Sequence, residues 1–166
     1  PGSTTPAGTT TSAGPAYTCW NGVAAAGADD CSYPTSDAGM RYMFPNLSIG
    51  CTHANMKSYS DDVTDYMCRY DNGNSWIVII QWRTESSAIN AYDAIGGRGD
   101  WICGSYRCGV RFFGYNQDKY SAARIYSWPN HWSVVIRGRT KAMRSKGYDI
   151  VGGVRSPAEI KGHVNA

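Results

Sequence analysis

The sequence predicts an α+β domain, in which an antiparallel sheet carries one main helix and disulfides staple the chain. Three observations lead to this fold class: strand-like runs around a strong hairpin turn, one amphipathic helical pattern directly after them, and six cysteines. The length of 166 residues suits one domain. Hydrophobic residues make up 42% and charged residues 17% of the chain, a composition that favours a packed core over disorder.

The first hairpin is predicted at residues 66–71 and 75–82. Asn72-Gly73 lies between these runs, and both residue types accept the positive φ that a two-residue hairpin turn requires. The second run is apolar at odd and even positions alike. We therefore expect a central strand that is covered on both faces, with a helix on one of them.

The main helix is predicted directly after that strand. Thr84 is a good N-cap, and apolar side chains between Ala88 and Ile95 recur at helical spacing. Gly96-Gly97 is expected to end the helix. The remaining predicted elements are a short helix over 36–44 stopped by Pro45, a strand over 110–115, a hairpin of 124–128 with 132–137, a short helix over 140–144, and a capping box over 156–159.

The chain divides into a stalk over residues 1–16 and a single disulfide-bearing domain over residues 17–166. The stalk is rich in Thr, Pro and Gly and has no large apolar residue, so it is expected not to fold alone. Such segments are often O-glycosylated outside the cell, and an unmodified spacer is the alternative. The candidate O-glycosylation positions are Thr4, Thr5, Thr9, Thr10, Thr11 and Ser12.

Six cysteines indicate disulfides and therefore an oxidising compartment. They are Cys19, Cys31, Cys51, Cys68, Cys103 and Cys108. No CxxC pair is present and the three histidines lie beside no cysteine pair, so we expect no metal site. About fifteen connectivities are open to six cysteines. Pairing of sequence neighbours is the simplest hypothesis.

Several function classes are disfavoured by what the sequence lacks. It contains no nucleophile elbow, zinc-protease motif or phosphate-binding glycine loop, so we expect no catalytic residues, no cofactor and no enzymatic activity. The net charge is +3 without a basic run, which argues against a nucleic-acid partner. No stretch of about 18 apolar residues occurs, so membrane contact is expected only through a segment outside this chain.

Aromatic residues are the best candidates for ligand contact. The chain has 6 Trp and 12 Tyr but only 3 Phe. Trp and Tyr combine an apolar ring with a polar tip and therefore suit binding surfaces, but core or strand-pair positions are the commoner role of such residues. The candidates, with a histidine beside a turn, are Trp101, Tyr106, Trp128, His131 and Trp132.

One spaced pattern over residues 17–82 resembles a known class. It consists of Cys19-Trp20-Asn21-Gly22, Cys31 with Pro34, the run from Gly39 to Pro45, and Cys51 with Cys68. This resembles the extracytoplasmic regions of actinobacterial membrane proteins, such as receptor-type Ser/Thr kinases. The resemblance implies the bridges Cys19–Cys31 and Cys51–Cys68 and transfers no catalytic residue. Cys103 and Cys108 lie outside the matched part.

We therefore expect a non-catalytic ligand-binding or sensor domain at a bacterial cell surface. Its partner would be a cell-wall or other extracellular ligand. The alternative is a structural subunit of a surface layer or extracellular filament, in which the aromatic-rich, charge-poor strands would serve self-association.

Overall fold

A computed structural model describes residues 16–55, 62–116, 118–127 and 131–165 of the chain. Within these ranges the strands are β1 (Tyr17–Cys19), β2 (Ala24–Ala25), β3 (Thr52–His53), β4 (Asp62–Tyr70), β5 (Ser75–Trp82), β6 (Gly99–Cys103), β7 (Tyr106–Asn116), β8 (Lys119–Tyr126), β9 (Trp132–Gly138) and β10 (Gly162–Val164). The helices are α1 (Ser36–Met43), α2 (Glu85–Tyr92) and α3 (Lys141–Val151), and short 3-10 helices cover Ala28–Asp30 and Asp93–Ile95.

The main sheet has seven strands in the order β3-β4-β5-β9-β8-β7-β6, and every neighbouring pair is antiparallel. The predicted α+β class with an antiparallel sheet is confirmed. β5 lies between β4 and β9, and all but one of its residues are buried. Its two apolar faces therefore mark a central strand, as the sequence predicted.

The β4–β5 hairpin forms at the predicted turn. Asp71 and Asn72 have φ values of 54° and 52°, and Gly73 has 83°. Asn, Asp and Gly tolerate this left-handed region better than other residues do, which explains why the chain reverses there.

Helices cover both faces of the sheet. Face A carries the side chains of Tyr66, Ile77, Ile79, Trp132 and Ile136, which pack against α1 and α3. Face B carries Val78, Ile80, Phe112, Ile125 and Val135, which pack against α2 and the 3-10 helix after it. The sheet is thus the middle layer of three.

The predicted main helix is confirmed as α2 together with its 3-10 extension. The side chain of Thr84 accepts a hydrogen bond from the Ser87 backbone N–H at 3.1 Å, and the segment ends at Gly96. The longest helix is nevertheless α3, for which the sequence predicted only residues 140–144. The difference arises at Gly147, which disfavours a helix by propensity but here lets α3 lie close to the sheet.

Other elements differ from the prediction in extent. The strand expected at 110–115 is the longer β7, β8 begins before residue 124, and β6 was not predicted. β8 and β9 pair as the expected second hairpin, whose turn over 128–130 lies outside the described residues.

The expected capping box over 156–159 forms its side-chain hydrogen bond without a helix. Ser156 Oγ donates to Glu159 Oε2 at 2.8 Å, while the backbone makes successive turns from Ser156 to Gly162. β10 begins at Gly162, so fewer than two helical turns would fit between Ser156 and that strand. A helix of this length is not stable by itself.

β10 pairs with β1, and β2 completes a small three-stranded sheet. Tyr17 lies opposite Val164, so the beginning and end of the described chain meet. The predicted stalk lies outside the described residues except for Ala16, and all six candidate O-glycosylation positions lie there too.

Three disulfides join cysteines that are neighbours in the sequence, which confirms the simplest hypothesis for their pairing. The bridges are Cys19–Cys31, Cys51–Cys68 and Cys103–Cys108, with Cα–Cα distances of 5.5, 4.2 and 5.6 Å. Three such bridges are typical of proteins that fold in an oxidising environment. Over the part of the chain that the structure describes, no helix has the length and apolarity needed to cross a membrane.

Candidate functional site

The predicted contact residue Trp101 lies on β6, where the ladder with β7 has a bulge between Trp101 and Ile102. Its half-buried ring makes an edge contact with Tyr126, at a centroid distance of 5.4 Å. Trp101 lies before the bulge and directly opposite Gly109, two residues from Arg111, so alternation along the strands directs its ring towards face A. Trp101 is therefore the first member of a site on that face.

Arg124 of β8 stacks on this tryptophan. Its guanidinium carbon lies 4.6 Å from the Trp101 ring centroid and 3.9 Å from the ring centroid of Tyr148 on α3. Both distances lie within the range of about 6 Å over which a cation is attracted to an aromatic face. Arg124 thus joins the sheet to α3.

Arg111 is the direct cross-strand partner of Arg124 in the β7–β8 ladder. Directly opposed side chains project from the same face of a sheet, with Cβ atoms about 5 Å apart. Two like charges in this arrangement destabilise the sheet. Repulsion within the pair therefore costs stability, while each arginine also contacts an aromatic ring.

A third arginine completes the arrangement. The guanidinium carbon of Arg144 on α3 lies 5.3 Å from the Phe113 ring centroid, and that of Arg111 lies 5.9 Å from the same centroid. Phe113 is 37% exposed, so part of its ring is open to solvent. We call the set Arg111, Arg124, Arg144, Trp101, Phe113 and Tyr148 the arginine–aromatic cluster.

The position of α3 brings its two residues into the cluster. A Cβ atom at Gly147 would lie 2.9 Å from the hydroxyl of Tyr70, so only glycine allows this approach. The Tyr70 hydroxyl donates to the Met143 carbonyl at 2.6 Å. These contacts hold α3 against β9 and β5 and leave the cluster side of the helix facing β8 and β7.

The three arginines of the cluster have no acidic partner among the described residues, where no carboxylate oxygen lies within 4.0 Å of their nitrogens. Other arginines are paired: Arg107 contacts Glu85 and Asp100, and Arg139 contacts Asp71. The cluster therefore concentrates uncompensated positive charge.

The Tyr148 hydroxyl lies in the field of all three guanidiniums. Burial raises the pKa of Tyr148 above its usual value, although Arg124 and its neighbours oppose the shift. The buried Oη atom makes no hydrogen bond of ordinary geometry with the described residues. It is consequently a neutral phenol at physiological pH.

A cleft of about 200 Å³ adjoins the cluster. This volume is below the range of about 300–1,000 Å³ that is typical of small-molecule pockets, so the cleft suits one group of a larger ligand. Among its lining residues are Trp101, Arg124, Tyr106, Gly153, Ser156 and the disulfide between Cys103 and Cys108. Tyr106, a predicted contact residue, is 49% exposed at its edge.

The other predicted contact residues lie elsewhere. Trp132 is 0% exposed, with its ring edge-on to Phe44 in the core of face A, so it has no surface to offer a ligand. This corrects its assignment, because alternation on β9 directs it inwards. His131 is half-buried outside the cleft lining, and its carbonyl accepts a hydrogen bond from the Trp82 N–H at 3.1 Å. Trp128 lies outside the described residues.

Sequence reasoning missed the arginines, Phe113 and Tyr148. Arg124 carried a usable signal, because it interrupts the otherwise apolar run from Ala122 to Tyr126. Its opposition to Arg111 requires the strand register, and Arg144 requires the full length of α3. Over residues 16–55, 62–116, 118–127 and 131–165, no three His, Cys, Asp or Glu side chains are grouped to hold a metal ion.

Comparison with protein-family models, curated proteins and solved structures found no match to this chain.

Proposed function

We propose that this chain is a non-catalytic, extracytoplasmic ligand-binding or sensor domain of a bacterial cell-surface protein, and that the arginine–aromatic cluster is its binding site. The observation that carries the proposal is the direct opposition of Arg111 and Arg124 without an acidic neighbour among the described residues. An arrangement that destabilises the free protein is explained if a ligand neutralises it.

The chemistry of the cluster favours binding over catalysis. Guanidinium groups stay protonated in proteins, so they cannot exchange protons during a reaction near neutral pH. The phenol of Tyr148 has a raised pKa and is equally unsuited to act as a base. What these groups can do is donate hydrogen bonds to an anion and stack against a flat ligand.

The location outside the cytoplasm is supported by three disulfides and by the resemblance of residues 17–82 to actinobacterial outer domains. A predicted O-glycosylated stalk over residues 1–16 belongs to the same proposal. Glycopeptide mass spectrometry of protein secreted by an actinobacterial host tests it, and unmodified Thr4 to Ser12 would contradict it.

The binding function is tested by cosedimentation of the fluorescently labelled protein with isolated actinobacterial cell walls. We expect the wild-type protein to sediment with the walls. The double variant Arg111→Gln with Arg124→Gln should stay in the supernatant, because it lacks the opposed charges.

The matched control replaces Arg69 and Arg83 by Gln. Both are exposed and lie outside the cluster, and their replacement changes the net charge equally. The control should sediment like the wild type. Arg111→Gln alone changes an exposed side chain and should fold normally, so it still tests the cluster if the double variant misfolds. If none of the proteins binds the walls, the proposed function is wrong. If all of them bind equally, the cluster is not the binding site.

The edge strand β6 favours a second candidate, a subunit that self-associates. β6 ends the main sheet, and its Ile102 is 58% exposed. Exposed edge strands can pair with another chain. Light scattering tests this: concentration-dependent assembly that Ile102→Lys abolishes supports a subunit, and a monomer at all concentrations opposes it.

A further inference from the structure

We propose that the ligand of the arginine–aromatic cluster is an acidic saccharide chain, which binds along β7 and β8 on face A. This inference rests on the proposed function and deepens it. It combines the charge of the cluster with the length of the surface and the kind of contact that the sheet can make.

The cluster continues into a longer row of alternating cations and rings. Beyond Phe113, the next side chain on this face of β7 is Tyr115, which lies directly opposite Tyr120 with a ring centroid distance of 4.9 Å. The Nζ atom of Lys141 on α3 lies 5.9 Å from the Tyr120 ring centroid. Tyr115 is 61% exposed, so this end of the row is open to solvent.

The row is long enough for an oligomer. Arg111 and Tyr115 are four residues apart on one strand, which spans about 13 Å at the usual rise of a β-strand. Trp101 and the cleft extend the row at the end near Arg124. A single inorganic anion would engage only one section of this surface, whereas a chain with repeated anionic groups would engage both the arginines and Lys141.

Around Arg111 and Arg124 the backbone is paired on both sides, which disfavours a peptide ligand at the arginines. β7 is bonded to β8 from Gly109 to Asn116 and to β6 from Tyr106 to Arg111, and β8 is bonded to β9 on its other side. Peptides usually bind sheets by adding a strand to a free edge. At the arginines only side chains face the ligand, so an acidic peptide bound there would find no partners for its own amides and carbonyls.

The side chains present suit saccharides better than membranes. Guanidinium forks bind carboxylate, sulfate or phosphate groups through two parallel hydrogen bonds. The exposed rings of Phe113 and Tyr115 lie on a sheet face, where they can stack against sugar rings. A lipid-binding surface would instead carry an amphipathic segment with its apolar side chains directed into the bilayer.

The test measures binding to immobilised polygalacturonate, an acidic saccharide, beside neutral dextran, poly-L-glutamate and phosphatidylglycerol vesicles. We expect polygalacturonate to bind best and dextran not to bind. Arg111→Gln with Arg124→Gln should weaken binding by about tenfold or more, since charge-assisted hydrogen bonds are lost. Raising the salt concentration should weaken binding of the wild-type protein.

Ring contacts are tested separately from charge. Phe113→Ser keeps the net charge and removes an exposed ring, and should weaken polygalacturonate binding about fivefold. The control with Gln at positions 69 and 83 should bind within about twofold of the wild type. These sizes follow from ring and ion contacts worth about 1 kcal/mol each.

Four results would overturn the inference. They are equal binding of dextran, equal or tighter binding of poly-L-glutamate, cluster-dependent binding of the vesicles in preference to polygalacturonate, and no loss of affinity in either cluster variant. If the cluster-dependent sedimentation with cell walls persists while polygalacturonate and a sulfated dextran both fail to bind, the saccharide class is wrong and the proposed function stands. If wall binding fails as well, both are wrong.

Discussion

Tyr70 shows how one phenol couples α3 to the sheet. Its hydroxyl donates to the Met143 carbonyl at 2.6 Å, and burial raises the pKa of Tyr70 to about 12, while Ser75 opposes the shift. An unfolded tyrosine titrates near pH 10. Since the folded pKa is the higher one, the stabilising effect of the neutral phenol is complete below pH 10 and is lost as the pH rises through 12.

We therefore expect Tyr70→Phe to lower the unfolding free energy by about 1 kcal/mol at pH 7, through the lost hydrogen bond. The difference between variant and wild type should shrink between pH 10 and 12. Urea unfolding at pH 7, 10 and 11 measures it. All other tyrosines are common to both proteins, and a constant difference would show that Tyr70 does not titrate as described.

Arg111, in contrast to Tyr70, lowers the stability of the folded protein through its repulsion of Arg124. Arg111 faces Arg124 without an acid nearby among the described residues, and its contact with the Phe113 ring is long, at 5.9 Å. Because repulsion outweighs a contact at that distance, Arg111→Gln should raise the unfolding free energy by a few tenths of a kcal/mol at low salt. At about 1 M NaCl the gain should disappear, since screening removes the repulsion. Arg83→Gln is the control. Destabilisation by Arg111→Gln at low salt would show that the pair is not repulsive.

At the scale of elements, α3 depends on a glycine in its middle. A Cβ atom at position 147 would meet side-chain atoms of Ile136 and the hydroxyl of Tyr70. Gly147→Ala should therefore lower the unfolding free energy by about 1–3 kcal/mol, despite the better helix propensity of alanine. Ser145→Ala, on the exposed side of α3, should change it by less than about 0.5 kcal/mol.

The same experiment reports on the cluster. If Gly147→Ala moves α3 away from the sheet, the Tyr148 ring and Arg144 move with it, and binding to cell walls should weaken. A Gly147→Ala protein as stable as the wild type would contradict the close packing of α3 on β9.

Elements with local signals were predictable from the sequence, and those defined by distant contacts were not. The β4–β5 hairpin and α2 carry their own turn and cap residues, so both were predicted. β7 and β8 are joined by Gln117-Asp118, which is not a favoured hairpin dipeptide. The register between the two strands could therefore not be predicted from the sequence. The cluster depends on that register and on α3, so only Trp101 and the adjoining Tyr106 were found in advance.

At the scale of the whole molecule, each of the three disulfides stabilises a different part of the fold. Cys19–Cys31 fastens the small sheet, Cys51–Cys68 ties the chain before β3 to β4, and Cys103–Cys108 closes the β6–β7 hairpin. Their sequence separations are 12, 17 and 5 residues. A bridge that closes a longer loop restricts the unfolded chain more.

We expect replacement of either longer-range pair by serines to lower the unfolding free energy by about 3 kcal/mol, and of the Cys103–Cys108 pair by about 2 kcal/mol. Denaturant unfolding of the three double variants measures this order. The Cys103–Cys108 variant should also bind cell walls more weakly, because its hairpin carries Trp101 and Tyr106. A larger loss of stability from this pair than from the other two would contradict the ranking.

The pairing of β1 with β10 brings the two ends of the described chain together. The Asn165 backbone N–H donates to the Ala16 carbonyl at 3.0 Å, and the Asn165 side chain bonds Thr18 Oγ1 at 2.7 Å. A short glycine-serine linker can therefore join residue 165 to residue 16, and a new start can be cut into the exposed Asn72-Gly73 turn. Such a circularly permuted chain would keep every strand neighbour, so the order in which the strands are synthesised can be changed without changing the fold.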